Sequence, residues 1–243
     1  MPERLVLPDF RPEKINGDFK GKDILSIDQF NPASISYLFH LTTAMAEVVK
    51  NAKPNDLLRE NIITLLFYEP STRTRGSFDA ATKRLGGSTI VVENPQQFSS
   101  VSKGETLKDT IRVFEAYSDA IILRHPEVGS AQKAADIAKF VPVINAGDGI
   151  DEHPTQALLD LYTIHEKIGT LSGLKGLFAG DIKNGRTVHS LLKGLSLYPN
   201  STVYLLSPRE LKLQTDLLEK LKSKGLKIIE IEDVEEIPRD CNF

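Results

Sequence analysis

Apolar runs of strand length alternate with segments of helical periodicity through almost the whole chain, and this alternation constrains the fold more than any other feature. Residues 61–68, Asn-Ile-Ile-Thr-Leu-Leu-Phe-Tyr, read as a buried strand that Pro70 ends. Ser71 to Arg75 then open a helix with Phe78, Ala81 and Leu85 on one face, closed by Gly86-Gly87. The pattern recurs with strands at 89–93, 120–123 and 141–144 and helices at 106–117 and 131–138. An earlier helix runs from Asn31 or Pro32 to about Asn51, and the opening 20 residues read as a strap over the first lobe. A long helical pattern at 155–168 ends at Gly169, after which the alternation restarts: strand 175–179, helix 187–197, strand 201–206, helix 210–224, strand 226–231. Such a series predicts an α/β fold with two doubly wound parallel-sheet lobes, residues 1–154 and 169–243, joined by a bridging helix at 155–168.

The 243 residues, 40% of them hydrophobic, can bury a sizeable core. With 30 basic and 33 acidic residues the net charge is −3, so no overall field favours nucleic acid or an anionic membrane. The single Cys241 excludes an internal disulfide framework and a cysteine metal cluster, and fits a reducing, cytoplasmic setting. No segment reads as a signal peptide or a bilayer span. The expectation is a soluble protein with no nucleic-acid or membrane partner.

Ser71-Thr72-Arg73-Thr74-Arg75 is the most telling segment. Hydroxyls are ordinary at a helix start, but cations there oppose the helix dipole at about 0.3–1 kcal/mol each. A dense anion on that turn reverses the sign, because backbone N–H groups, hydroxyls and guanidinium forks would all point at it. Three further polar clusters are expected where ligands bind in open parallel sheets, beyond the carboxyl ends of strands. They are Arg124-His125-Pro126, residues 145–156 with His153 and Gln156, and residues 180–186 ending in Arg186. On the proposed topology the first three groups converge and the fourth faces them across a cleft. Each has a plainer reading alone: Arg124 and Arg186 as surface arginines, His153 as a helix cap, Lys103 as loop chemistry. Neither a P-loop nor His and carboxylates at metal-ligand spacing appear, so no metal or cofactor is expected, and fixed hydrogen-bond donors are the plausible source of catalysis.

Ser71-Thr72-Arg73-Thr74-Arg75, Lys103-Gly104-Glu105-Thr106, Arg124-His125-Pro126, His153-Pro154-Thr155-Gln156 with Asp160, and Gly185-Arg186-Thr187-Val188-His189-Ser190 together resemble the catalytic chain of the aspartate carbamoyltransferase family, from about Ile27 to the end. The resemblance implies transfer of a carbamoyl group from carbamoyl phosphate to L-aspartate, an early step of pyrimidine synthesis. It implies that Ser71, Thr72, Arg73 and Thr74 hold the phosphate with Arg124. Thr74, Arg124 and His153 would donate to the carbonyl oxygen, Gln156 would fix the carbamoyl NH2, and Arg186 would bind an aspartate carboxylate. Ser99 and Lys103 would reach a neighbouring subunit's site, which makes a homotrimer with shared sites the active unit. A regulatory chain or fused enzymes of the same pathway are further partners the family allows.

Against the family's pattern, the chain stops at Cys241-Asn242-Phe243, where another strand is expected. The resemblance therefore implies a truncated, incomplete second lobe with one sheet edge open. Two alternatives follow: a non-catalytic carbamoyl-phosphate-binding subunit, or a carbamoyltransferase for another amine such as ornithine. Arg186 and Lys103 argue against the latter, since a cation repels ornithine's side-chain amine.

Overall fold

The computed structural model describes residues 14–51, 55–95 and 104–243, which divide into two compact units, Met1–Gly149 and Ile150–Phe243. The division falls ahead of the 154/155 boundary read from the sequence.

In the first unit, helix α1 (Pro32–Lys50) precedes strand β1 (Ile62–Phe67), α2 (Thr72–Arg84), β2 (Ser88–Glu93), α3 (Leu107–Glu115), β3 (Ala120–His125), α4 (Ser130–Ile137) and β4 (Val143–Asp148). All strand pairs are parallel, in the order β2-β1-β3-β4. Both faces of the sheet are covered, which is why β1, apart from Thr64, is an apolar run instead of an alternating one. Leu66, Ile121, Leu123 and Val143 pack on one face with Ile111 of α3 and Ala131, Ala134 and Ala135 of α4. Ile63, Leu65, Phe67 and Ile122 fill the other with Phe78 of α2. The outer edge of β4 is closed by Ile24, which pairs with Ile144. Gln29 braces that segment, accepting from Leu25 N–H at 2.6 Å and donating to the Asp23 carbonyl at 2.9 Å.

From β1 the chain crosses to β2 on one side and then to β3 on the other, so the strand order reverses between β1 and β3. Two strands run further than their apolar runs indicate. Arg124 and His125 belong to β3, and residues 145–148 to β4, although the sequence places both groups after strands ending at Leu123 and Ile144. β3 lies between two partners, and the ladder continues through polar residues: Phe67 pairs with Arg124 and, past an irregularity, His125 with Asp148.

The second unit holds α5 (Pro154–Ile168), β5 (Lys175–Ala179), α6 (Arg186–Leu195), β6 (Thr202–Leu206), α7 (Thr215–Ser223) and β7 (Lys227–Ile231), with parallel strands in the order β5-β6-β7. α5 and α6 approach closely because position 194 is glycine: a Cβ there would sit 2.7 Å from Leu161 Cδ1. The helix expected at 210–224 is two pieces, a 3-10 turn at Arg209–Leu211 and then α7. The Leu211 carbonyl is taken by Lys183 N–H at 2.9 Å and Leu213 is buried, which breaks the helical run. The β5 edge is partly covered by the chain's last residues. Asn242 N–H donates to Lys175 O at 2.7 Å, Leu177 N–H to Phe243 O at 2.9 Å, and the Phe243 ring stands edge-on to Phe178 over Gly176.

Candidate active site

In the first unit the polar groups gather at the carboxyl ends of β1 and β3, where the strand order reverses, the place at which open α/β sheets bind ligands. Ser71 is the N-cap of α2, yet its side chain makes no capping hydrogen bond. The first backbone N–H of this turn held by the helix itself is that of Arg75, donating to Ser71 O at 3.1 Å. Thr72 and Arg73 are exposed and Thr74 is half-buried on the same turn. The two arginines of the segment differ: Arg75 Nε lies 2.7 Å from Glu93 at the end of β2, a partner that offsets its unfavourable position in the helix.

Arg124 comes from the neighbouring strand and is 8% exposed. Its guanidinium donates to Glu69 at 2.8 Å and to the Ala146 carbonyl at 3.3 Å, while its own carbonyl accepts from Tyr68 N–H at 2.8 Å. The segments at 68–75, 124 and 146 are thereby brought together, as the sequence argument requires of the first unit. An anion at this spot would compete with Glu69 for the guanidinium.

His125 and Asp148 serve the frame. His125 Nδ1 accepts from Glu127 N–H at 3.1 Å, with Ser130 Oγ at 2.8 Å, so the ring proton of the neutral form sits on Nε2. Burial holds its pKa below the ordinary histidine value, and the ring packs 4.6 Å from that of Tyr68. Asp148 caps α4 from another strand, accepting from Gly129 and Ser130 N–H at 2.9 Å each and from Ala131 at 3.4 Å.

The second unit carries the other donors. His153 is the buried N-cap residue of α5; its N–H donates to Ser190 Oγ at 2.8 Å, and that hydroxyl donates to the Arg186 carbonyl at 2.9 Å. One serine of α6 thus joins the segments of His153 and Arg186. Gln156 Nε2 donates to Asp160 at 2.9 Å, and burial pushes the Asp160 carboxyl up from its usual value. Arg186 opens α6, whose N-cap Gly185 supplies no side-chain bond. Asp181 shapes the preceding loop, accepting from Asn184 N–H at 3.0 Å, and a Cβ at Gly185 would lie 2.7 Å from the Asp181 carbonyl.

Ser99 and Lys103 lie outside the described residues. The sequence argument missed Glu69 and the linking function of Ser190. Glu69 had a signal, a carboxylate directly after a strand and next to a cationic turn; Ser190 had none beyond its place in the 185–190 motif. The first unit therefore offers an open helix N-terminus, hydroxyls and a buried guanidinium, suited to a phosphate. The second offers an imidazole, an amide and a guanidinium, donors for a carbonyl and a carboxylate.

Residues 22–166 match the family model described as aspartate/ornithine carbamoyltransferase, carbamoyl-P binding domain. The chain is 46% identical over 224 residues to aspartate carbamoyltransferase 1, chloroplastic, of Pisum sativum, covering 92% of this chain and 58% of that protein. It is 47% identical over 221 residues to the aspartate carbamoyltransferase catalytic subunit of Methanocaldococcus jannaschii, covering 91% of this chain and 72% of that one. A crystal structure of Trypanosoma cruzi aspartate transcarbamoylase in complex with carbamoyl phosphate and aspartate superposes with a TM-score of 0.84 at 43% identity, over 89% of this chain and 68% of that chain. The chain thus spans 58% of the length of the plant relative.

Proposed function

The chain belongs to the aspartate/ornithine carbamoyltransferase family, and on that premise we propose that it transfers the carbamoyl group of carbamoyl phosphate to the amino group of L-aspartate. The observation that carries this reading is the junction of the uncapped α2 N-terminus with the buried Arg124 guanidinium at the strand-order reversal.

The phosphate dianion lies on the first turn of α2, held by Ser71, Thr72, Arg73 and Thr74, with Arg124 exchanging Glu69 for a phosphate oxygen. The aspartate amine attacks the carbonyl carbon. Charge builds on the carbonyl oxygen, where Thr74, Arg124 and His153 donate to it, and fixed donors of this kind lower the barrier because they need no reorganisation. Gln156 orients the carbamoyl NH2 and Arg186 holds an aspartate carboxylate. The carbon–oxygen bond to phosphate breaks, N-carbamoyl-L-aspartate forms, and the departing phosphate takes the amine proton, so no side-chain base is needed. The active form is a homotrimer in which Ser99 and Lys103 of one copy complete the next copy's site.

The test is an assay of the purified 243-residue chain for carbamoyl-aspartate and carbamoyl-ornithine formation. Turnover with aspartate alone is the expected result. Turnover with ornithine would reassign the amine, and binding of carbamoyl phosphate without turnover would make the chain a binding subunit.

A further inference from the structure

Three polar side chains of α6 are buried together: His189 and Lys193, one turn apart, are 4% and 6% exposed, and Ser190 is 0% exposed. Buried polar groups on a helix cost free energy unless they are partnered. Here the partners come from the two segments that bear His153 and Arg186. Lys193 Nζ reaches Glu152 at 2.6 Å and Asp151 at 3.4 Å. Ser190 joins His153 N–H to the Arg186 carbonyl. His189 makes the widest link, with Nδ1 at 3.1 Å from the Ile150 carbonyl and Nε2 at 2.8 Å from the Ile182 carbonyl.

Carbonyl oxygens only accept. A neutral imidazole donates from one nitrogen and presents a lone pair at the other, so only the doubly protonated ring satisfies both carbonyls. Ile182 lies between Asp181 and Lys183 in the loop that leads to Arg186, and Ile150 adjoins Asp151 and Glu152 in the loop that leads to His153. Asp151 and Glu152, which follow Ile150, are paired with Lys193, one turn along α6 from this ring.

We propose that His189 is a positioning residue whose ring, donating from both nitrogens, ties the 150–153 and 180–186 segments to α6 and so sets His153 and Arg186 for carbamoyl transfer. The inference rests on the reading of the function given above, but its physical part does not. Ser190 and His189 of α6 each reach both segments, so the placing of His153 and of Arg186 is shared through one helix.

The test compares wild type with His189→Phe, which keeps bulk and loses both donors, and His189→Gln, which restores one. Expected for His189→Phe is a rise of about tenfold in KM for aspartate, with KM for carbamoyl phosphate within about twofold, since a small misplacement of a binding group is costly. His189→Gln falls between the two. Hydrogen exchange should quicken in 150–153 and 182–186 while β6 and β7 keep their protection, and 15N spectra of the wild type should show both ring nitrogens protonated. If His189→Phe does not fold, His189→Gln alone decides by the same readouts. Unchanged exchange in the two segments, a singly protonated ring, or equal rises in both KM values would overturn the proposal. Should wild type show no aspartate turnover, the functional reading fails, and exchange and ring protonation still decide the link.

Discussion

Arg124 shows how a cation comes to rest inside a parallel sheet. Its backbone extends the ladder of β3 beside Phe67, while its guanidinium leaves the apolar layer to meet Glu69 and the Ala146 carbonyl. Losing one oxyanion donor typically costs on the order of 10²–10³ in turnover. Arg124→Ala should therefore lower kcat by that factor without changing the far-ultraviolet circular dichroism, and near-normal turnover would remove it from the mechanism. Arg73 and Arg75 look equivalent in the sequence, and what separates them is Glu93, which arrives from a strand 18 residues further on than Arg75. A local pattern finds the cationic turn but cannot assign its partners. Asp23 was invisible for the same reason: one oxygen accepts from Val143 N–H at 2.7 Å, 120 residues away, and burial raises its pKa to about 6 from 3.8. The folded state thus holds a proton that the unfolded chain releases, so this group's contribution to stability falls as pH rises from about 4 to about 6. Urea midpoints of Asp23→Asn relative to wild type should improve steadily over that window, and a pH-independent difference would sink the assignment.

At the scale of elements, apolar runs located all seven described strands, because each strand packs at least one side of a short apolar stretch against helices of its unit. They missed the polar ends of β3 and β4, where ladder pairing instead of hydrophobicity sustains the strand. The end of β4 in turn starts α4. The Asp148 carboxylate takes N–H groups that the N-cap side chain cannot satisfy, since the N-cap is Gly129. Asp148→Ala removes the carboxylate from these donors, leaving the Ser130 N–H only its 3.4 Å contact to the Glu127 carbonyl, and should cost about 1–3 kcal/mol, read as a lower urea midpoint. A loss under about 0.5 kcal/mol would show that water replaces the carboxylate. Gly185 plays the matching part before α6. A methyl group at that position meets the Asp181 carbonyl at 2.7 Å, and backbone must move to admit it. Gly185→Ala should shift the turn that carries Arg186 and raise KM for aspartate several-fold, with little change in carbamoyl phosphate binding measured by calorimetry.

For the whole molecule, the strand order could not be read from the sequence, since alternation fixes parallel pairing but leaves the neighbours open. Within each unit the clustering of the candidate residues was legible all the same, because in either winding the loops after the strands share one end of that unit's sheet. What lay beyond reach was the supporting layer of His189, Ser190 and Lys193, whose partners are distant in sequence and become apparent only in the folded unit. The proposed sharing of Ser99 and Lys103 between copies belongs to this scale and has a quantitative test. Lys103→Ala and Arg124→Ala chains should each assemble into trimers of 27.0 kDa subunits yet turn over poorly. In an equal mixture that is dissociated and reassembled, each site draws Lys103 from one copy and Arg124 from the next. Half of the copies supply an intact lysine and half of the recipients an intact arginine, so about a quarter of the sites should be whole in a cyclic assembly of this kind. Recovery near that fraction of wild-type activity, from two nearly inactive parents, requires the site to be built by two chains. If Lys103 served its own copy, every site would lack one residue or the other, and mixing would restore nothing.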